Sequence, residues 1–292
     1  MPPPCPPRPA SNPSVVRRAL LWWFAWPSNP YVTVNVSVDF SHAQAYLERL
    51  GDPKVSVGAL VAATIGRVLN AYPQANARII GRKIVDLDHV GIAMPVNLLG
   101  HGGGGGAAPR ELGMALVERV ETLSLREVAL ASRETVRAER EGAPQNAFIK
   151  QLLGTLEGAP QRVVDFTLAT VDRAMAREVL AERVYERFPV STALSNAGAA
   201  IGKAPGVLFR GADVAIPQRL AHVGTFWGLS AVQDEVVAVD GAPAVRPMLP
   251  VLFLFDHRLV DGVIGARIVA RFGAILRDPE AEFGPDGERR PA

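Results

Sequence analysis

Apolar and polar positions change period several times along this chain, and each change marks an element. Tyr31 to Phe40, "YVTVNVSVDF", sets Val32, Val34, Val36, Val38 and Phe40 against polar residues, the two-residue period of a strand with one buried face. "VSVGALVAATIGRVLNAYP" places Val57, Leu60, Val61, Ile65, Val68 and Leu69 on one helix face that stops before Pro73. "NARIIGRKIVD" predicts two short paired strands about a glycine turn, and "HVGIAMPVNLLG" a further strand. Ser124 and Glu127 have capping-box spacing ahead of the amphipathic helix in "LSLREVALASRETVRAERE". From Gly142 to Arg187 the period stays helical. Strands return in "VSTALSN", "DVAIPQ" and "AHVGTFW", then in a hairpin turning at Asp240-Gly241. The last helix covers about Gly262 to Leu276, with Ile264, Ile268, Phe272 and Ile275 on one face, and "FGPDGERRPA" reads as a frayed tail. Strands and helices mix without strict βαβ alternation, so the pattern predicts an α+β domain with a mixed sheet.

Composition narrows the function classes. The 292 residues are 48% hydrophobic, enough for one large core or two small ones. Thirty-one basic and 29 acidic residues leave a net charge of +2, with no basic stripe for nucleic acid and no polybasic block for anionic lipid. The single cysteine, Cys5, can make no intrachain disulfide, and no Cys/His cluster has zinc-site spacing, so no metal is expected. This composition is compatible with a reducing compartment, and a cytoplasmic location is expected. In the leader, "VVRRALLWWFAWP" looks at first like an export signal. Its apolar run, Ala19 to Trp26, ends at Pro27 without a small-residue cleavage site and is far shorter than the ~20 residues of a membrane span. An arm carrying Trp22, Trp23, Phe24 and Trp26 is expected to pack on the core or on a neighbouring subunit. "HGGGGG", His101 to Gly106, lacks the following Gly-Lys-Ser/Thr of a phosphate cradle and reads as a flexible connection.

Of the five histidines, His42, His89, His101 and His222 sit in turn-like or strand-edge contexts and read as structural or solvated. His257 differs. "VLFLFDHRLVDGVIGARIVARF" brings a strand that is apolar on both faces to an abrupt stop at Asp256-His257-Arg258, and helical spacing resumes after Asp261-Gly262. An imidazole at such a strand end can titrate near neutral pH and act as a general base. The same residues also admit a plain structural account: a satisfied core histidine, Asp261 as a helix cap, and Arg258 in a local ion pair with Asp261.

The motif "DHRLVDG" resembles the His-x-x-x-Asp-Gly signature of chloramphenicol acetyltransferases and of the catalytic cores of dihydrolipoamide acyltransferases, the second more closely. Other segments resemble that family in its order: "VTVNVSVDFSHAQAYLERL", "AYPQANARIIGRKIV", "HVGIAMPV", "LSLREVALASRETVRAER", "ALSNAG" and "DVAIPQRLAHVG". Together they cover most of residues 30 to 278. The resemblance implies a chloramphenicol acetyltransferase-like fold, a mixed β-sheet flanked by helices. It divides the chain into a proline-rich arm (1–29), a catalytic domain (30–283) with a helical insertion at about 143–187, and a tail (284–292).

The resemblance also assigns roles. His257 would take a proton from a thiol or hydroxyl acceptor, and Ser195 would donate a hydrogen bond to the oxyanion. Asp261 would hold local geometry through a buried charge pair, while Asn196 and Gly198 shape the turn that aims Ser195. Arg258 and Gly262 complete the structural set. Ser195 also reads as a turn serine bonding its own backbone, a role compatible with the first. In the family, His and Ser meet across a boundary between threefold-related subunits, so a homotrimer or a higher homo-oligomer is implied. Coenzyme A or acyl-CoA would be a substrate, and the acceptor a small molecule or the lipoyl group of a separate lipoyl-bearing protein. No lipoyl attachment turn and no subunit-binding helical domain is found in this chain, and Ser195 lies further from His257 in sequence than in the family. These departures keep a second class open, a non-catalytic core homologue serving as an assembly scaffold. A peptide-forming condensation domain fits poorly, since Asp256 stands where a second histidine would.

Overall fold

The computed structural model describes residues 8–9, 29–80, 83–98, 112–141, 159–175, 183, 185–186, 189–198, 207–216 and 222–291. The tryptophan-rich part of the arm, Cys5, the glycine run with His101, and most of the 143–187 stretch lie outside them. Two sheets form. In the small one, β1 (Arg8–Pro9), β4 (Lys83–Asp86) and β3 (Ala77–Ile80) lie in the order β1-β4-β3. The large one runs β2 (Tyr31–Asp39), β10 (Ala242–Asp256), β8 (Thr225–Leu229), β7 (Thr192–Asn196), β5 (Ile92–Asn97), β6 (Leu112–Val117), with β9 (Gln233–Val239) paired to β10 off this path. The β5–β7 and β7–β8 pairs are parallel and the rest antiparallel, so the sheet is mixed as expected.

The helices are α1 (Ser41–Leu50), α2 (Val57–Ala71), α3 (Leu125–Arg140), α4 (Gln161–Met175), α5 (Gly262–Arg277) and α6 (Pro279–Phe283). Both halves of the capping box at α3 are made: the Ser124 hydroxyl accepts from the Glu127 amide, and the Glu127 carboxylate accepts from the Ser124 amide. The hairpin turns where Asp240 and Gly241 both take positive φ, 51° and 80°, the geometry that Asp-Gly favours in two-residue turns.

The core lies between the large sheet and α1, α2, α3 and α5. Leu249 to Asp256 of β10 are all buried, because β2 covers one edge and β8 the other. Leu249, Val251, Phe253 and Phe255 face the main core, where Trp227 stacks on Phe272 at 5.0 Å and meets Phe253 at 4.3 Å. Burying such side chains contributes about 1.5–3 kcal/mol each. The valines of β2 pack against this core half-buried, with its polar residues exposed.

Two expectations change. Residues 211–216, which include most of "DVAIP", run without regular structure and largely exposed; no sheet edge holds them, so a short apolar alternation there has no partner strand. The tail is not frayed. The Tyr46 hydroxyl donates to Gly284 O at 2.7 Å, Arg126 Nε to Asp286 O at 2.9 Å, and Arg290 pairs with Glu127, so the charges of "GERRPA" tie it to α1 and α3. Among the described residues no helix is long and apolar enough to cross a membrane.

Candidate active site

His257 follows the last residue of β10 in the tight turn that leads to α5. Its ring is half-buried, with its centroid 6.3 Å from that of Phe255, and its backbone N–H donates to Pro30 O at 2.8 Å. A charged cluster adjoins it in the chain. The Asp256 carboxylate, fully buried, accepts Arg258 Nε at 2.9 Å on Oδ1 and Arg258 Nη2 at 2.6 Å on Oδ2, and also the Arg258 amide at 2.9 Å. His222, also buried, donates from Nε2 to Asp256 Oδ2 at 2.8 Å. Burial alone would raise the Asp256 pKa, but the hydrogen bonds from His222 and Arg258 outweigh it and hold the carboxyl below the usual range. Burial pushes the His222 pKa down despite Asp256, so a neutral imidazole bonds an ionised carboxylate.

Asp261 is half-buried and caps α5, its Oδ1 accepting from the Ile264 amide at 2.9 Å. The fork of Arg258 closes on Asp256, a buried charge pair next to His257 in the chain. Among the described residues a Cβ on Gly262 would meet nothing within 4 Å, and its φ is not left-handed, so none of them demands glycine there. α5 lies close to the turn at a different glycine: a Cβ on Gly265 would come within 2.6 Å of the Phe255 ring. Among the described residues no cluster of three His, Cys, Asp or Glu could hold a metal ion.

Ser195 lies on β7, half-buried, opposite Gly228 of β8. Asn196 is exposed and ends the strand, with its Nδ2 only 3.3 Å from where a Cβ on Gly58 would stand at the start of α2. Gly198 permits the turn. A Cβ there would sit 2.2 Å from Ala231 N and from Ser230 C, so only glycine lets this turn pass the chain that links β8 to β9.

The sheet register separates the two groups. Gly228 pairs with Leu252, so Ser195 is level with Leu252, while His257 lies beyond the other end, past the Phe255–Thr225 pair. Five residues along the strands and two strands across give a separation of about 17 Å by about 10 Å. One chain therefore holds Ser195 and His257 roughly 19 Å apart. Beyond the Ser195 end, past the last β2 pair at Asp39, β9 and the first half of β10 continue as a two-stranded ribbon on which Val236 and Val245 face each other, 72% and 66% exposed.

Comparison with known proteins identifies the fold. Residues 224–283, from the start of β8 through α6, match the family "2-oxoacid dehydrogenases acyltransferase (catalytic domain)". Among curated relatives, the succinyltransferase component of the 2-oxoglutarate dehydrogenase complex of Bartonella vinsonii subsp. berkhoffii is 38% identical over 53 residues, 18% of this chain and 13% of that protein. Across almost the whole chain the likeness is structural. A dihydrolipoamide acetyltransferase of Azotobacter vinelandii superposes with a TM-score of 0.60 at 18% identity, over 91% of this chain and 87% of that one. A chloramphenicol acetyltransferase superposes with a TM-score of 0.56 at 13% identity, over 93% and 98%. The chain has the acyltransferase-core fold.

In the Azotobacter protein a serine, a histidine and an asparagine were investigated for their role in the catalytic mechanism, the asparagine four residues after the histidine. In this chain the residue four after His257 is Asp261. Sequence reasoning missed the frame behind the histidine. His222, expected to be structural or solvated, is a structural residue, buried and bonded to Asp256. It stands three residues before β8, and its partners are distant in sequence, so no local pattern marks it.

Proposed function

We propose that this protein is a CoA-dependent acyltransferase, moving an acyl group between coenzyme A and a thiol or small-molecule acceptor through His257 and Ser195. The observation that carries the reading is the placement of a half-buried imidazole at the end of a rigid central strand, inside the segment that matches the family. Attack on a thioester needs a deprotonated nucleophile, and a positioned base contributes about 10²–10⁴-fold. His257, braced by the Asp256–Arg258 pair and by Pro30, has that position. The tetrahedral intermediate also carries an oxyanion, for which a preorganised donor on a fixed strand is suited. Ser195 is such a donor.

The two roles require more than one chain, because the register keeps the residues apart. The active form is therefore a homo-oligomer, a trimer or a multiple of one, in which Ser195 of one copy meets His257 of another. The exposed ribbon leaves the sheet from the Ser195 end, where that second copy must approach. The acceptor is a small molecule or a lipoyl group carried on a separate protein, and the expected location is cytoplasmic.

Thiol release from a panel of acyl-CoAs, with dihydrolipoamide and small-molecule acceptors, tests the reading. Release above background is expected for the native protein, and none for a folded His257→Ala variant. Transfer at the native rate in that variant overturns the assignment. An oligomer that forms normally yet never releases thiol with any acceptor would instead be a scaffold.

A further inference from the structure

We propose that His222 is a positioning residue for His257, acting through Asp256; this deepens, and rests on, the reading of His257 as the base. The turn at Asp256–Arg258 closes on itself, since the guanidinium and the amide of Arg258 both return to the carboxylate two residues before. Such a clamp fixes the inner shape of the turn and leaves open where it sits on the fold. Backbone bonds anchor its main chain, from Asp256 N–H to Gly224 O at 2.9 Å and from His257 N–H to Pro30 O at 2.8 Å. The carboxylate itself is anchored from outside the turn by His222 Nε2, at 2.8 Å.

His222 is in turn held at its other nitrogen. The Ile79 amide, in β3, donates to Nδ1 at 3.1 Å. An amide N–H can only donate, so Nδ1 carries the lone pair and Nε2 the proton. The imidazole is thus a fixed, neutral donor that ties the small sheet to the carboxylate beside the base. The charged and titratable groups around it are Asp256, Arg78 and Arg258, with the Tyr31 ring at 6.1 Å. The two guanidinium groups and burial oppose a second proton, and the proton on Nε2 is committed to Asp256. His222 therefore does not serve as a base in its own right. What it sets is the place of His257, and displacing a reacting group by about 1 Å can cost on the order of 10²-fold in rate.

The test uses the full chain in its native oligomer. His222→Phe removes both bonds at similar volume, and His222→Gln keeps one donor. In His222→Phe, kcat is expected to fall at least about tenfold with KM for acyl-CoA within about twofold, and His222→Gln to recover part of the loss. The titration midpoint of the His257 ring, followed by NMR of labelled histidine and assigned with His257→Ala, is expected to move in the same variants. A purely structural role would lower stability and leave that midpoint and the kcat-to-KM split alone. A folded variant with native kcat and an unmoved midpoint overturns the proposal. If His222→Phe does not fold, the same two readouts on His222→Gln decide it. If the native protein transfers no acyl group, the functional reading fails, while the His257 midpoint still reports whether His222 positions the ring.

Discussion

Asp256 keeps a full charge in a place water does not reach, and the arrangement has a measurable consequence at the residue scale. Its partner His222 has a pKa held below the ordinary value of about 6.5 by burial. The unfolded chain therefore binds a proton that the folded chain refuses as pH drops through about 6.5. Stability linked to His222 is complete above that pH and declines below it, by at most about 1.4 kcal/mol per pH unit for one site. Chemical denaturation between pH 7.5 and 5.5 should show this slope, and His222→Gln should flatten it. The Asp256 carboxyl adds a separate loss at much lower pH, since its folded pKa is depressed and its contribution disappears only as pH falls through the acid range. For Ser195, loss of one preorganised oxyanion donor costs about 2.7–4 kcal/mol. Ser195→Ala should accordingly lower kcat by about 10²–10³-fold with little change in KM or Tm, which steady-state kinetics on the folded oligomer would show.

At the scale of elements, Gly198 is the position where sequence and packing meet most tightly. A methyl group there would enter the backbone of Ser230 and Ala231, which cannot swing away as a side chain tip would. Gly198→Ala should shift the turn after β7, destabilise the protein by about 1–3 kcal/mol, and lower kcat as if Ser195 had lost its aim; thermal unfolding and kinetics check both. Most elements were legible because their periods are strong: the alternation of Tyr31–Asp39, the apolar face of Val57–Ala71, the Ser124 and Glu127 capping box, and the Asp240-Gly241 turn. "DVAIPQ" misled because alternation over four residues describes a strand only where an edge is free to pair with it. The tail misled because its charges read as solvated, whereas Arg290 and the carbonyls of Gly284, Asp286 and Gly287 meet partners on α1 and α3 that lie far away in sequence. The same limit hid His222, whose two partners stand 143 and 34 residues away.

At the scale of the whole molecule, the register of the large sheet decides how catalysis can be organised. His257 and Ser195 stand near opposite ends of β10 and β7, which are separated by β8, so neither a side-chain rotation nor a small hinge unites them within one chain. The motif around each residue was readable in the sequence, but the distance between them follows from strand pairing, which no local pattern encodes. The most direct measurement is complementation between two inactive variants. Ser195→Ala and His257→Ala, dissociated, mixed in equal amounts and reassembled, should regain about a quarter of native activity, since random assembly pairs an intact serine with an intact histidine at about one interface in four. Mixed oligomers that form fully but stay as inactive as their parents would contradict a site built from two copies.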